Sequence, residues 1–490
     1  MANAESRRRL VLLLDGTWNE DAPDTNDTNV VRMRDLMAGC FESGPISISV
    51  AETVKNDHVF PELGLRRHRE VDYFFFYERG VGTGPTGRFT EGALGWGLGR
   101  NIRRAYKFLS ANYRPGTEIF IFGFSRGAFT ARSLVGYLGA SGLLKAKYCT
   151  KELEERAWSN YRTAPNDRMP AVRLGLEPFT FSFDEVRVAC LGVFDTVGAL
   201  GIPSTMLRRL NRSFYEFHDV ELSPIVRLNL HALAIDEHRK PFEASVWRQS
   251  RFRWSNSITE QTWFPGVHSD IGGSCLSEDE RKSKGGDDIV PDSPFRVTTR
   301  SLDDIALDWM LKRVAYHFPN FLPMAEEFGS ITGTPKLPLQ HESRTWQYKI
   351  QPRAIRSIGN LRLELREGEV PVSFDRRESV VGENVHISAL ERLGQSAPYC
   401  EFSNLTPYLP SNLIAAMPDL YELYCSEIDR PFATEAIRIV NWDGTIVSEK
   451  DKTAESFGKV RSAIEAALNR LLERGIDVLK SKKGTMQIPS

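Results

Sequence analysis

The junction where Ile119-Phe120-Ile121-Phe122 runs into Gly123-Phe124-Ser125-Arg126-Gly127-Ala128 constrains this chain more than any other segment. An apolar run, a Gly-x-Ser-x-Gly turn and a helix signal over 128–134 follow one another without a gap. In that order, buried strand, tight turn and helix, Gly-x-Ser-x-Gly marks a nucleophile elbow. The turn forces the serine backbone into a strained conformation, and flanking glycines remove the Cβ clashes that would forbid it. Ser125 Oγ is then expected to project beyond the end of a parallel sheet. The plainer alternative is a small-residue turn that packs a helix on a strand.

The surrounding sequence alternates strand and helix signals. Arg9 leads into a continuous aliphatic run through Leu14, as in a strand buried on both faces, which ends in the polar loop Asp15-Gly16-Thr17-Trp18-Asn19. Asn29 is placed to cap a helix through Val30, Met33 and Met37. Further strands are expected over 71–77, 186–194 and 262–264, and helices over 98–112, 224–237 and 302–317. Such alternation predicts an α/β fold, α/β-hydrolase-like, with a mostly parallel central sheet flanked by helices. In sheets of this kind functional groups collect beyond the carboxyl ends of strands, where Asp15, Ser125, Asp195 and His268 all fall. The division expected is a catalytic domain over 1–320, carrying a polar insertion at about 277–293, and a smaller α+β accessory region over 321–490. That region ends in an amphipathic helix over 456–480, whose apolar stripe is read as packing against the body rather than lying on a membrane.

With 41% hydrophobic and 26% charged residues the chain can bury a core, and a formal net charge of -1 argues against nucleic acid as a partner. Its six cysteines (Cys40, Cys149, Cys190, Cys275, Cys400, Cys425) are scattered, with no Cys-x-x-Cys pair, and read as reduced thiols. Arg7-Arg8-Arg9 before Leu10-Val11-Leu12-Leu13-Leu14 mimics a signal peptide, but the apolar run stops at Asp15. The expectation is cytoplasmic synthesis with neither signal peptide nor transmembrane helix, any secretion following a leaderless route.

A serine nucleophile needs a base, and the base needs a carboxylate to orient it. Of nine histidines, His268 lies on a glycine-rich loop beyond a strand; His231 and His238 fall on the expected helix or at its very end, and His58, His68, His218, His317, His341 and His386 have no comparable setting. Asp195 closes an apolar strand and is the acid chosen; Asp270 stands too near His268 in sequence to orient its ring, and Asp236 is weaker still. The chain order Ser, Asp, His is that of α/β-hydrolases. The oxyanion hole is expected from the Arg126 N–H and from Gly16 or Thr17, with Asp15, Gly123, Gly127 and Asp270 supporting. The Arg126 side chain is read as a structural ion pair or as a group meeting a phosphate-bearing substrate. The loop from Gly80 to Gly87 lacks the Gly-Lys-Ser/Thr ending of a phosphate cradle and reads as a rim loop. No motif calls for a metal or other cofactor.

These pieces resemble the α/β-hydrolase domain of type VI secretion phospholipase effectors and their uncharacterised bacterial and fungal relatives. The matching segments are Leu14-Asp15-Gly16-Thr17-Trp18-Asn19, Thr28-Asn29-Val30, Gly80-Val81-Gly82-Thr83-Gly84, Gly123-Phe124-Ser125-Arg126-Gly127-Ala128, Val193-Phe194-Asp195-Thr196-Val197-Gly198, His231-Ala232-Leu233-Ala234-Ile235-Asp236-Glu237 and Trp263-Phe264-Pro265-Gly266-Val267-His268-Ser269-Asp270-Ile271-Gly272-Gly273. They span roughly 8–315. The resemblance implies a triad of Ser125, Asp195 and His268 and hydrolysis of glycerophospholipid acyl esters. The remaining C-terminal part matches no segment of this kind, and in such proteins that part carries membrane-binding or partner-binding elements. The reading is therefore a serine ester hydrolase of lipid esters, with peripheral membrane contact or a protein partner assigned to the C-terminal region. A general carboxylesterase of small esters and a non-catalytic scaffold on a hydrolase body are the alternatives.

Overall fold

The computed structural model describes residues 7–16, 28–40, 65–68, 71–80, 91–163, 167–170, 174–197, 222–248, 257–273, 301–321, 337–344, 353–359, 380–400, 404–426, 437–447 and 454–479. The chain forms two compact units, one over 1–230 with 250–258 and 317–324, the other over 231–249, 259–316 and 325–490. In the first unit the elements are β1 (Arg7–Leu14), α1 (Asn29–Cys40), β2 (Leu65–His68), β3 (Val71–Glu78), α2 (Glu91–Asn112), β4 (Glu118–Phe124), α3 (Arg126–Ser141), α4 (Lys151–Arg162) and β5 (Val188–Phe194). Its strands lie in the order β5-β4-β1-β3-β2, and every pairing is parallel except that of the edge strand β2. Leu10 to Leu14 and Ile119 to Phe122 are buried completely or nearly so, as unbroken apolar runs covered on both faces should be. Phe321 stacks on Phe120 of β4 with ring centroids 4.1 Å apart.

Strand β6 (Val226–Ala234) is divided, Val226 to Leu230 counting with the first unit and His231 to Ala234 with the second. The second unit continues with β7 (Ile258–Phe264), α5 (His268–Gly272), α6 (Leu302–His317), β8 (Glu383–His386), α7 (Ile387–Arg392), β9 (Ser396–Ala397), β10 (Thr406–Pro407), α8 (Ser411–Tyr424), β11 (Arg438–Val440), β12 (Ile446–Val447) and α9 (Glu455–Glu473). Strands β7, β8 and β11 pair in parallel, and β12 closes the edge antiparallel. Buried Arg313 on α6 grips Glu260 of β7 through both carboxylate oxygens, at 2.7 and 2.5 Å. Among the described residues no helix is long and apolar enough to cross a membrane.

Two expectations change. Residues 224–237 form strand β6, not a helix. On β6 Leu228, Leu230, Ala232 and Ala234 share one face and Asn229, His231 and Leu233 the other, and all are buried. With both faces covered, period-two alternation vanishes from the hydropathy, and helix-favouring Leu and Ala dominate local propensity. The cap of α1 is Thr28, whose Oγ1 accepts the Val31 N–H at 3.1 Å, while Asn29 Oδ1 accepts from Arg32. The C-terminal helices and strands share one core with Leu233 and Trp263. The insertion at 277–293 lies outside the described residues.

The apolar stripe of α9 (Phe457, Val460, Ile464, Ala467, Leu468, Leu471) is buried in that core. Ile464 is 0% exposed and Leu472, on the same helix, 49%. Ile464→Ala is expected to destabilise the protein by about 2–5 kcal/mol in urea unfolding, and Leu472→Ala by no more than about 0.5 kcal/mol. Equal effects would contradict the packing of this helix.

Candidate active site

Ser125 sits between β4 and α3 with φ 55° and ψ -118°. Such a backbone in a non-glycine residue costs about 1–3 kcal/mol and persists only where its surroundings over-determine it. The surroundings are visible at the glycines. A Cβ on Gly127 would lie 2.0 Å from the Leu14 carbonyl oxygen and 2.5 Å from that of Asp15, so the first turn of α3 meets the end of β1 backbone to backbone. A Cβ on Gly123 would lie 2.7 Å from the Gly127 carbonyl oxygen, and one on Gly16 would lie 3.3 Å from Ser125 Cβ. Gly123, Gly127 and Gly16 thus let three chain segments converge on the serine. Arg126 occupies the first position of α3, where helix geometry gives its N–H no carbonyl acceptor.

Asp15 organises the loop beneath this turn. Its Oδ1 accepts the Gly16 N–H at 2.7 Å and the Thr28 hydroxyl at 2.9 Å, and its Oδ2 accepts the Tyr77 hydroxyl at 2.9 Å. Burial, together with this carboxylate, raises the Tyr77 phenol far above its ordinary range, so it stays a donor. The Gly16 N–H is therefore occupied by Asp15. Thr17 and the loop from Val81 to Gly87 lie outside the described residues.

Asp195 follows β5 as Ser125 follows β4, and the preceding residues Phe124 and Phe194 are paired in the parallel ladder. The Ser125 N–H donates to the Phe194 carbonyl at 3.1 Å. Asp195 is fully buried and has φ 37°. Among the described non-glycine residues, Ser125 and Asp195 alone have positive φ. Asp tolerates that region better than most residues, but Ser does not share the privilege.

His268 lies in the second unit, at the first residue of α5, and is buried. Its N–H donates to Glu237 Oε2 at 3.3 Å, and its ring meets Phe242 edge-on at 5.1 Å. Glu237 is held by a two-pronged Arg239 ion pair at 2.9 and 2.7 Å. The loop carrying His268 is clamped twice more. Asp236 Oδ2 accepts the Gly266 N–H at 2.7 Å and the Tyr408 hydroxyl at 3.0 Å. Asp270 accepts the Val267 N–H at 3.0 Å and the His341 N–H at 3.1 Å, and pairs with His341 Nδ1 at 2.6 Å. His341, which has no distinguishing setting in sequence, is thus a partner of this loop. His231 is a core residue of β6, its Nδ1 3.4 Å from Gln261 Oε1, and burial holds His238 neutral, with its pKa lowered to about 3. No pattern in sequence links Tyr408 or His341 to residues so far upstream.

Burial raises the Asp236 pKa to about 7, against the opposing pull of the Gly266 N–H and the Tyr408 hydroxyl. Arg126 is half-buried, and burial pushes its pKa down to about 10.

The first unit is an α/β body with mostly parallel strands, flanking helices and a strained serine turn between strand and helix. Over residues 8–313 the chain matches the family described as T6SS, Phospholipase effector Tle1-like, catalytic domain, and it belongs to that family. Over 249 residues it is 28% identical to the uncharacterized protein YEL023C of Saccharomyces cerevisiae, a match covering 49% of this chain and 33% of that one. The chain thus spans about a third of that relative's length. An uncharacterized protein from Pseudomonas aeruginosa superposes with TM-score 0.34 and 16% identity, covering 66% of this chain and 48% of the other. The Tle1 effector bound to the VgrG spike from the Type 6 secretion system superposes with TM-score 0.28 and 21% identity, covering 55% and 52%. Neither superposition is close enough to carry an argument.

Two outcomes test this geometry. Gly127→Ala is expected to cost about 3 kcal/mol or more, because the clash is with backbone that cannot step aside; tolerance within about 0.5 kcal/mol in urea unfolding would contradict the contact. The second concerns Asp236. A carboxyl whose folded pKa is raised binds its proton more tightly when folded, so its contribution to stability falls as pH rises from about 4 to 7. Unfolding measured at pH 5 and pH 8 should show Asp236→Asn removing a pH-dependent loss of about 2–3 kcal/mol between the two. An unchanged profile would show that Asp236 is already ionised in the folded protein at pH 5.

Proposed function

We propose that this protein is a serine ester hydrolase that cleaves the acyl esters of phospholipids, with Ser125 as nucleophile, His268 as general base and Asp195 as the carboxylate that orients it. The observation that carries the reading is the confinement of positive φ, among described non-glycine residues, to Ser125 and Asp195, at the paired ends of β4 and β5. Membership of a phospholipase effector family supports lipid esters as the substrate class.

In this mechanism Ser125 Oγ attacks the ester carbonyl carbon while His268 takes the hydroxyl proton. The developing oxyanion is held by the Arg126 N–H and a second N–H from Gly16 or Thr17. Since the Gly16 N–H donates to Asp15, it serves only if that bond is exchanged. Collapse expels the alcohol, which receives the proton from His268, and water then releases the fatty acid from the acyl-enzyme by the same steps. Asp195 stabilises the imidazolium without itself accepting the proton.

A fluorophosphonate probe should label the purified full chain at Ser125, and Ser125→Ala should abolish labelling. The same substitution should lower phospholipid turnover by about ten-thousand-fold or more. Cleavage of a short-chain ester without phospholipid turnover would reduce the assignment to a general carboxylesterase. A wild-type chain that takes no label at Ser125 would leave a scaffold on a hydrolase body.

A further inference from the structure

Arg126 is the residue next to the proposed nucleophile, and among the described residues its side chain has no counter-charge. Among the described residues no carboxylate pairs with its guanidinium, and no acidic residue lies in the first turn of α3. The carboxylate of the adjoining loop, Asp15, is committed to Gly16, Thr28 and Tyr77. Placement at the start of a helix adds to the excess of positive potential, because the helix dipole already presents its positive end there. Folding alone gives little reason to hold a half-buried cation in such a position. A half-buried guanidinium loses water that nothing in the described protein replaces, and the dipole opposes its charge.

The direction of the side chain follows from the helix. Cα–Cβ bonds tilt toward a helix's N-terminus, so the stem of Arg126 leans back over the turn that carries Ser125. An anion attached to the molecule being acylated at Ser125 Oγ would find its partner there. In a glycerophospholipid the phosphorus stands five bonds from the sn-2 ester carbonyl carbon, so one substrate can span both groups. The planar fork of a guanidinium matches two phosphate oxygens, and desolvation strengthens the pairing.

We infer that the Arg126 guanidinium binds the phosphodiester of the substrate and makes the site selective for phosphate-bearing acyl esters over neutral ones. The inference rests on the serine hydrolase reading above and adds to it the group that reads the headgroup phosphate, independently of what the phosphate carries. No covalent step is assigned to the side chain, and the backbone N–H of Arg126 keeps its separate task.

The test compares phosphatidylcholine with diacylglycerol of matched acyl chains in the same detergent micelles, using the full chain. The wild type should prefer the phospholipid. Arg126→Gln should lower the ratio of kcat/KM values, phospholipid over neutral lipid, by at least about tenfold, with the loss in KM. Arg126→Lys should recover part of the ratio, since it keeps the charge without the fork. Glycerol 3-phosphate should inhibit wild-type hydrolysis of diacylglycerol competitively and inhibit the Arg126→Gln protein far less. A headgroup-bound phosphate thereby separates from a free one: inhibition by glycerol 3-phosphate with an unchanged lipid ratio would mean an anion site unrelated to substrate choice and would overturn the inference. So would a ratio unmoved by either substitution, or an Arg126→Gln thermal midpoint well below that of the wild type, which would reveal a structural partner. If the wild type hydrolyses neither lipid, the phospholipid hydrolase reading itself fails, a result visible before any Arg126 variant is made.

Discussion

The contact between the first turn of α3 and the end of β1 is made through backbone alone. At Gly127 there is no room for a single carbon beside the Leu14 carbonyl, and this closeness dictates the path of the chain on both sides. Gly123 must give way to the same helix, Gly16 passes close to the serine, and Ser125 is left to absorb the strain in its own φ and ψ. A backbone contact of this kind has few ways to relax, because no rotamer change can relieve it. The geometry of the turn is therefore a consequence of how tightly helix, strand and loop meet.

Buried carboxylates do for the loops what glycines do for the turn. Asp15 holds Gly16, Thr28 and Tyr77 together in the first unit. In the second, Asp236, Glu237 and Asp270 fasten the segment from Gly266 to His268 to Tyr408, Arg239 and His341. Each carboxylate collects several donors, and a buried acid that lost them would be left with an uncompensated charge. Loops built this way hold their side chains on rigid supports although they contain little regular structure.

Much of the first unit was legible in the residues. Strand β1, strand β4 and the elbow announce themselves because unbroken apolar runs ending in glycine-bearing turns have few other structural solutions. The helix from Leu302 to His317 was readable end to end. Strand β6 was not, since burial on both faces erases the alternation that marks a strand. Thr28 and Asn29 are both good capping residues, and only the backbone path selects between them. Strands β8, β11 and β12 are two to four residues long, too short for any periodicity to register.

Sequence by itself determined the class of fold, the position of the strained serine and the apolar face of the last helix, because each depends on neighbours within a few residues. Only the tertiary structure decided that Asp236 is clamped by Tyr408, that His341 pairs with Asp270, and that Arg126 goes without a carboxylate among the described residues. Those outcomes depend on which side chains from distant parts of the chain share a buried volume. Hydrogen bonding and desolvation act across space, and nothing in local spacing encodes them.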